Sequence, residues 1–168
     1  MKDRLWTLRS RQSAAYKGLY ALLLADGAKD WLSGSSISAI IYFDELIDVH
    51  HIFPEDWCKK NDKRRRKYNS ILNKTPLSAR TNRIIGGTAP SIYIEKLAKK
   101  AEVPEKTILS SIQTHRVNIS NLKNDDFEAH LESRAVALLE QIKSAMGKDI
   151  GESQVDSVDD GDEFEDDD

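Results

Sequence analysis

Apolar residues recur at helical spacing over residues 3–32, where Ala14, Ala15, Leu19, Leu22 and Leu23 share one side, and Gly27 is a natural stop. Gly34-Ser35-Ser36 reads as a loop. The pattern then changes. From Ile37 to Pro54 the chain is rich in Ile, Tyr, Phe and Val, which predicts extended structure; Ile47–Ile52 is its clearest strand, and Pro54 ends it. A second strand is expected over Ile71–Leu77. Ser78 or Thr81 can cap a short helix through Asn82–Ile85, which Gly86-Gly87 stops. Helical spacing returns at Pro90–Lys100, Pro104–Thr114 and Asp125–Met146, the last carrying Phe127, Leu131, Ala135, Leu138, Leu139 and Ile142. Together these elements predict a mostly helical α+β fold.

Composition narrows the picture. At 168 residues the chain suits one domain with its own core. The single cysteine, Cys58, excludes a disulfide framework and a multi-cysteine zinc site, and reads as a buried, inert thiol. The longest apolar run, Leu19–Ala25, is too short to span a membrane, and Met1–Trp6 has no signal-peptide character, so a reducing, cytoplasmic location is expected. Net charge is −3, but residues 151–168 hold ten acids and no base. Removing those ten from the 28 acids leaves residues 1–150 with 18 acids against 25 Lys and Arg, a formal +7. The expected organisation is therefore a basic domain over 1–150 and a disordered acidic tail over 151–168. A basic body points to a polyanionic partner, with a tail that either solvates the chain or competes for the same surface.

Chemistry concentrates in the middle of the chain. His50-His51 ends the strand-like run Asp48-Val49-His50-His51-Ile52-Phe53-Pro54; Asn73 follows His51 by 22 residues, and Asn82 follows Asn73 by nine. A histidine pair alone reads as one packed and one exposed ring, and a lone asparagine as a turn or cap. Set on a strand end, a second strand and a short helix, however, these four can converge on one point. Phosphodiester hydrolysis needs a base for water, a cation for the leaving oxygen and an anchor for the phosphate. A neutral histidine supplies the base, and histidine nitrogen with asparagine oxygen can hold a divalent ion.

The string Asp48–Pro54, followed by Asn69–Ser78, Thr81–Gly87 and Ala89-Pro90-Ser91, resembles the HNH (His-Me finger) nucleases. It is most similar to the C-terminal nuclease domain of GmrSD-type restriction enzymes. The resemblance implies a ββα-metal finger embedded in helices and a metal-dependent DNA endonuclease acting in restriction. It implies His51 as the general base and His50 as first metal ligand. Asn73 becomes the central asparagine that orients the base and ties the finger together, and Asn82 a second metal ligand. The implied cofactor is one divalent ion, foremost magnesium or manganese, with nickel or zinc also compatible. Asp48 reads as a structural neighbour. The family's N-terminal sensor domain, with ParB-like, nucleotide-dependent features, has no counterpart in this sequence. The alternative is therefore a DNA-binding remnant, or a subunit that acts only with a separate regulatory chain.

Between the two halves of the motif, Lys59, Lys60, Lys63, Arg64, Arg65, Arg66 and Lys67 place seven bases in nine residues. This run is expected to hold DNA backbone phosphates without reading sequence. Arg80 and Arg83 flank Asn82; Arg80 is expected on the DNA backbone and Arg83 at the transition state. Arg9, Arg11 and Lys17 extend a basic surface. Trp6, Trp31 and Trp57 read as core or interface anchors, and His115 and His130 as surface or packing residues.

Overall fold

The computed structural model describes residues 2–9, 13–37 and 47–147. The acidic tail, Arg11 and the segment 38–46 of the expected extended stretch lie outside them. The fold is α+β and mostly helical, with one small antiparallel sheet. The helix expected over 3–32 is two helices, α1 (Lys2–Thr7) and α2 (Ala14–Ala25). Ser13 caps α2 by accepting a hydrogen bond from Tyr16 N, and the chain leaves it through Gly27 at φ 82°.

β1 (Ile47–His51) and β2 (Lys74–Ser78) pair antiparallel, with His50 opposite Thr75 and His51 opposite Lys74. The connection carries two short helices, α3 (Glu55–Lys60) and α4 (Arg65–Tyr68). The second strand starts three residues later than its apolar pattern suggests, because Ile71–Asn73 form a 3-10 turn. That turn is held by Ile71 N on Leu8 O and Ile52 N on Asn73 O. Pro76 is tolerated in β2 because a two-stranded sheet leaves each strand one edge that needs no partner.

Helix α5 (Ala79–Ile85) follows β2 directly, capped by Ser78, whose Oγ accepts from Thr81 N. The buried carboxylate of Asp30 seats this junction, accepting from Ser78 N at 2.9 Å and Thr81 Oγ1 at 2.7 Å. Burial alone would raise its pKa, but these bonds and those from Ser33 hold the Asp30 carboxyl below its usual range. Four helices complete the chain: α6 (Pro90–Ala101), α7 (Glu105–Gln113), α8 (Ile119–Lys123) and α9 (Phe127–Met146). No helix of the described residues is long and apolar enough to cross a membrane.

One core joins the helices to the sheet: Tyr16, Tyr20, Leu23, Trp31, Ile52, Phe53, Ile71, Leu77, Tyr93, Phe127 and Leu131 are all buried. Trp31 stacks on Tyr93, while Trp6 and Trp57 pack half-buried against the same cluster, so all three tryptophans anchor the core. The Cys58 thiol is fully buried and burial pushes it up to about 12, which leaves it inert.

A polar layer is buried behind the sheet. His115 is fully buried, donating from Nε2 to Lys29 O at 2.7 Å and accepting from Thr75 Oγ1 at Nδ1. Arg134 is equally buried and donates from Nη1 to Leu72 O and Lys74 O at 3.0 and 2.8 Å. His130, one helical turn earlier, packs against Phe53. Both histidines are thus packing residues. Burial brings His115 down to about 4, and burial with the neighbouring Arg134 charge brings His130 down to about 3.

This fixes a pH dependence. An unfolded histidine binds its proton near pH 6.5, whereas the folded chain keeps both rings neutral. Below that pH the unfolded state takes up protons that the folded state refuses. Stability is therefore full above pH 6.5 and falls through pH 4 towards pH 3. Each ring accounts for on the order of 3 kcal/mol by the end of its range. Thermal unfolding from pH 8 to pH 4 should show a flat melting temperature above pH 7 and a steep fall below pH 6. His130→Leu should flatten that fall.

Candidate active site

Successive residues of a strand leave on opposite faces, so His50 and His51 at the end of β1 present two different surfaces. A cleft of about 320 Å³ opens beside them, between β1, the start of α3 and the end of α5. His50, His51 and Asn82 line it together, although Asn82 lies 31 residues further along the chain than His51. Helix α5 makes this possible. Asn82 and Gly86 are one turn apart on the same face, and Gly86 ends the helix at φ 55°, a conformation that suits glycine.

Three carboxylates join them at the rim: Asp48, Glu55 and Asp56. A hydrogen bond from Lys59 holds the Glu55 carboxyl below its usual range, so it stays anionic. Asp56 closes against Gly87 so tightly that a Cβ there would stand 2.8 Å from Asp56 Oδ2 and 2.9 Å from its Cβ. Imidazole nitrogen, amide oxygen and carboxylates form a donor set suited to a hard or borderline divalent ion. Among the described residues, no group of three or more His, Cys, Asp or Glu stands close enough to form a metal cage of those residues alone.

His51 has a defined tautomer. Its Nε2 lies 2.9 Å from Asn69 Oδ1. An amide oxygen only accepts, so Nε2 carries the proton and the ring's lone pair falls on Nδ1. Asn69 ends α4 and was not singled out in the sequence. No periodicity or spacing marks it, since its role follows from the fold of the 22-residue connection.

The Asn73 side chain spends its hydrogen bonds elsewhere than on His51. Its amide is fully buried, and all three of its hydrogen bonds go to main chain: Phe53 N donates to Oδ1 at 2.9 Å, and Nδ2 donates to Phe53 O and Tyr68 O at 3.0 Å. It knots the chain just after β1 to the last residue of α4. The side-chain hydrogen bond to the His51 ring comes from Asn69 instead.

The basic residues divide. Lys59 pairs with Glu55 at 3.0 Å, Lys67 with Glu128 at 2.6 Å, and Lys63 lies over the Phe127 ring. The first pair lies within α3, while Lys67 and Lys63 tie the connection to α9. Lys60 and Arg64 are exposed. Arg65 and Arg66 line a separate groove of about 570 Å³ with Arg9, Asn69 and Lys74. Arg83 is exposed and does not line the histidine cleft, because it sits a third of a helical turn around α5 from Asn82. Arg80 lines another cleft, with Lys100 and Ser33, Ser35 and Ser36.

Against known proteins, a stretch of 90 residues is 29% identical to an uncharacterized protein of Methanocaldococcus jannaschii. The match takes in 54% of this chain and 15% of that relative's length. No family model matches the chain, and no solved structure matches it.

Proposed function

We propose that the chain is a metal-dependent DNA endonuclease of the HNH type, acting in restriction or defence against foreign DNA. The observation that carries this reading is one cleft lined by His50, His51 and Asn82, with the His51 proton fixed on the nitrogen that faces Asn69. On this reading β1, β2 and α5 make up the ββα finger, and His50 and Asn82 hold the ion with Asp48 or Asp56 beside them. A bound divalent ion supplies positive charge for the phosphate and its leaving oxygen.

The remaining steps belong to the protein. His51 Nδ1 takes a proton from water, and the hydroxide formed attacks phosphorus as the leaving oxygen departs. Asn69 keeps the imidazole in the tautomer that can accept that proton. Asn73 keeps β1 and the connection at the separation the cleft requires.

The test is plasmid cleavage by the purified full chain in magnesium, manganese, nickel or EDTA. Nicking or linearisation that EDTA abolishes is the expected result. DNA binding without cleavage in any of the metals would replace this reading with that of a subunit needing a separate regulatory chain.

A further inference from the structure

We propose that Asp56 is the carboxylate that joins His50 and Asn82 on a divalent ion, and that position 87 is glycine so that Asp56 can reach that place. The inference rests on the nuclease reading for what the ion does, while binding of the ion through Asp56 is tested without DNA.

Three carboxylates stand at the rim of the cleft, and two of them are engaged. Asp48 Oδ1 accepts from Val49 N at 2.6 Å, on its own strand. Glu55 pairs with Lys59 at 3.0 Å. Asp56, in the first turn of α3, makes neither a hydrogen bond nor an ion pair among the described residues. The side-chain amide of half-buried Asn82, across the cleft on α5, is likewise without a hydrogen bond among them. Among the described residues no lysine or arginine lines this cleft, so its charge favours a cation over an anion.

Gly87 shows that the approach of Asp56 is built into the chain. Gly86 needs glycine for its backbone, at φ 55°, but Gly87 is not among the glycines with positive φ. Its backbone therefore suits any residue. What forbids a side chain is Asp56 itself, since a Cβ on Gly87 would stand 2.8 Å from Oδ2, 2.9 Å from Cβ and 3.3 Å from Cγ. The contact reaches down to the Asp56 Cβ, so turning the carboxylate end aside does not relieve it. A side chain at 87 would push the start of α3 away from the end of α5, and with it the carboxylate from the amide.

One imidazole, one carboxylate and one amide oxygen make a mixed nitrogen and oxygen donor set, which suits manganese or magnesium with water in the remaining positions. The set uses two residues of the His, Cys, Asp and Glu class and completes itself with Asn82. It does not call for the cage of three that is absent among the described residues.

The experiment is titration of the full chain with manganese(II), the free ion being read from its electron paramagnetic resonance signal, in the absence of DNA. Asp56→Asn keeps the shape of the side chain and should weaken manganese binding at least about 10-fold, with the melting temperature of the metal-free protein unchanged. Glu55→Gln removes the same charge one residue away and should change affinity by no more than about 2-fold. Gly87→Ala should weaken binding as Asp56→Asn does. The double variant should bind no more weakly than Asp56→Asn alone, because Gly87 acts only through Asp56. Should Gly87→Ala fail to fold, Asp56→Asn carries the test, since its side chain is exposed. Wild-type affinity in Asp56→Asn overturns the proposal and leaves the nuclease reading standing if the protein cuts plasmid. Equal losses in Asp56→Asn and Glu55→Gln overturn it too, in favour of a diffuse field. A wild-type chain that leaves all the manganese free overturns it outright. Binding that depends on Asp56, in a protein that cuts plasmid in none of the metals, keeps the ion site and removes the nuclease reading instead.

Discussion

His51→Ala should lower the rate of metal-dependent plasmid cleavage on the order of 10³-fold, with the melting temperature held near that of the wild type. The magnitude is that of removing a general base, which contributes about 10² to 10⁴. The small effect on stability follows from position: His51 is half-buried at a strand end, where its ring bonds to the Asn69 side chain and meets Tyr68 edge-on at the margin of the core. Asn69→Ala should give a smaller loss, since the ring stays but its tautomer is no longer fixed. Asn69→Asp keeps an acceptor for Nε2 and adds a negative charge, so it should restore part of the rate and move the alkaline and acid limbs of the pH profile. Cleavage rates at saturating metal, measured from pH 5 to pH 9 for all three variants, check this. Full activity in His51→Ala would dismiss His51 as the base.

Asn73→Ala should destabilise the fold by about 3 to 4 kcal/mol, a fall of roughly 10 °C in melting temperature. Three hydrogen bonds disappear at a site with no solvent exposure, which leaves Phe53 N, Phe53 O and Tyr68 O to find other partners. Asn73→Asp should be no better, because a carboxylate oxygen replaces the donor between two carbonyls. Asn82→Ala makes the contrast. Its side chain lines an open cleft, so activity should fall while stability moves by less than about 1 kcal/mol. Denaturant or thermal unfolding of the three variants separates the two roles. Equal stabilities for Asn73→Ala and Asn82→Ala would show that the knot at Asn73 is dispensable.

The elements were legible wherever period and punctuation agreed. Helix α6 opens at Pro90 as expected, and α9 runs to Met146 from a cap at Asp126. β1 matches its apolar run almost to the residue. The second strand was misplaced because Ile71 and Leu72 are apolar for the core's sake, not the sheet's. Both are fully buried in a 3-10 turn whose geometry Asn73 dictates. The histidine and asparagine positions could be read from spacing, since that spacing reflects a strand, a connection and a helix of fixed length. Asn69 could not: its contact with His51 is made across the fold, and its side chain breaks no local pattern. The basic run shows what spacing leaves out: Lys59, Lys63 and Lys67 also meet Glu55, the Phe127 ring and Glu128 in space, contacts that no local pattern announces.

Arg134 gives the arrangement an order in time. Its guanidinium holds the carbonyls of Leu72 and Lys74, on either side of Asn73, yet it arrives 60 residues later on the last helix. A chain emerging from the ribosome carries both histidines and both motif asparagines well before it carries that support. Assembly of the cleft must wait until synthesis has passed residue 134. On the proposed nuclease reading the nascent chain stays inert, and C-terminal truncations ending before α9 should accumulate without harm to the DNA of the cell that makes them.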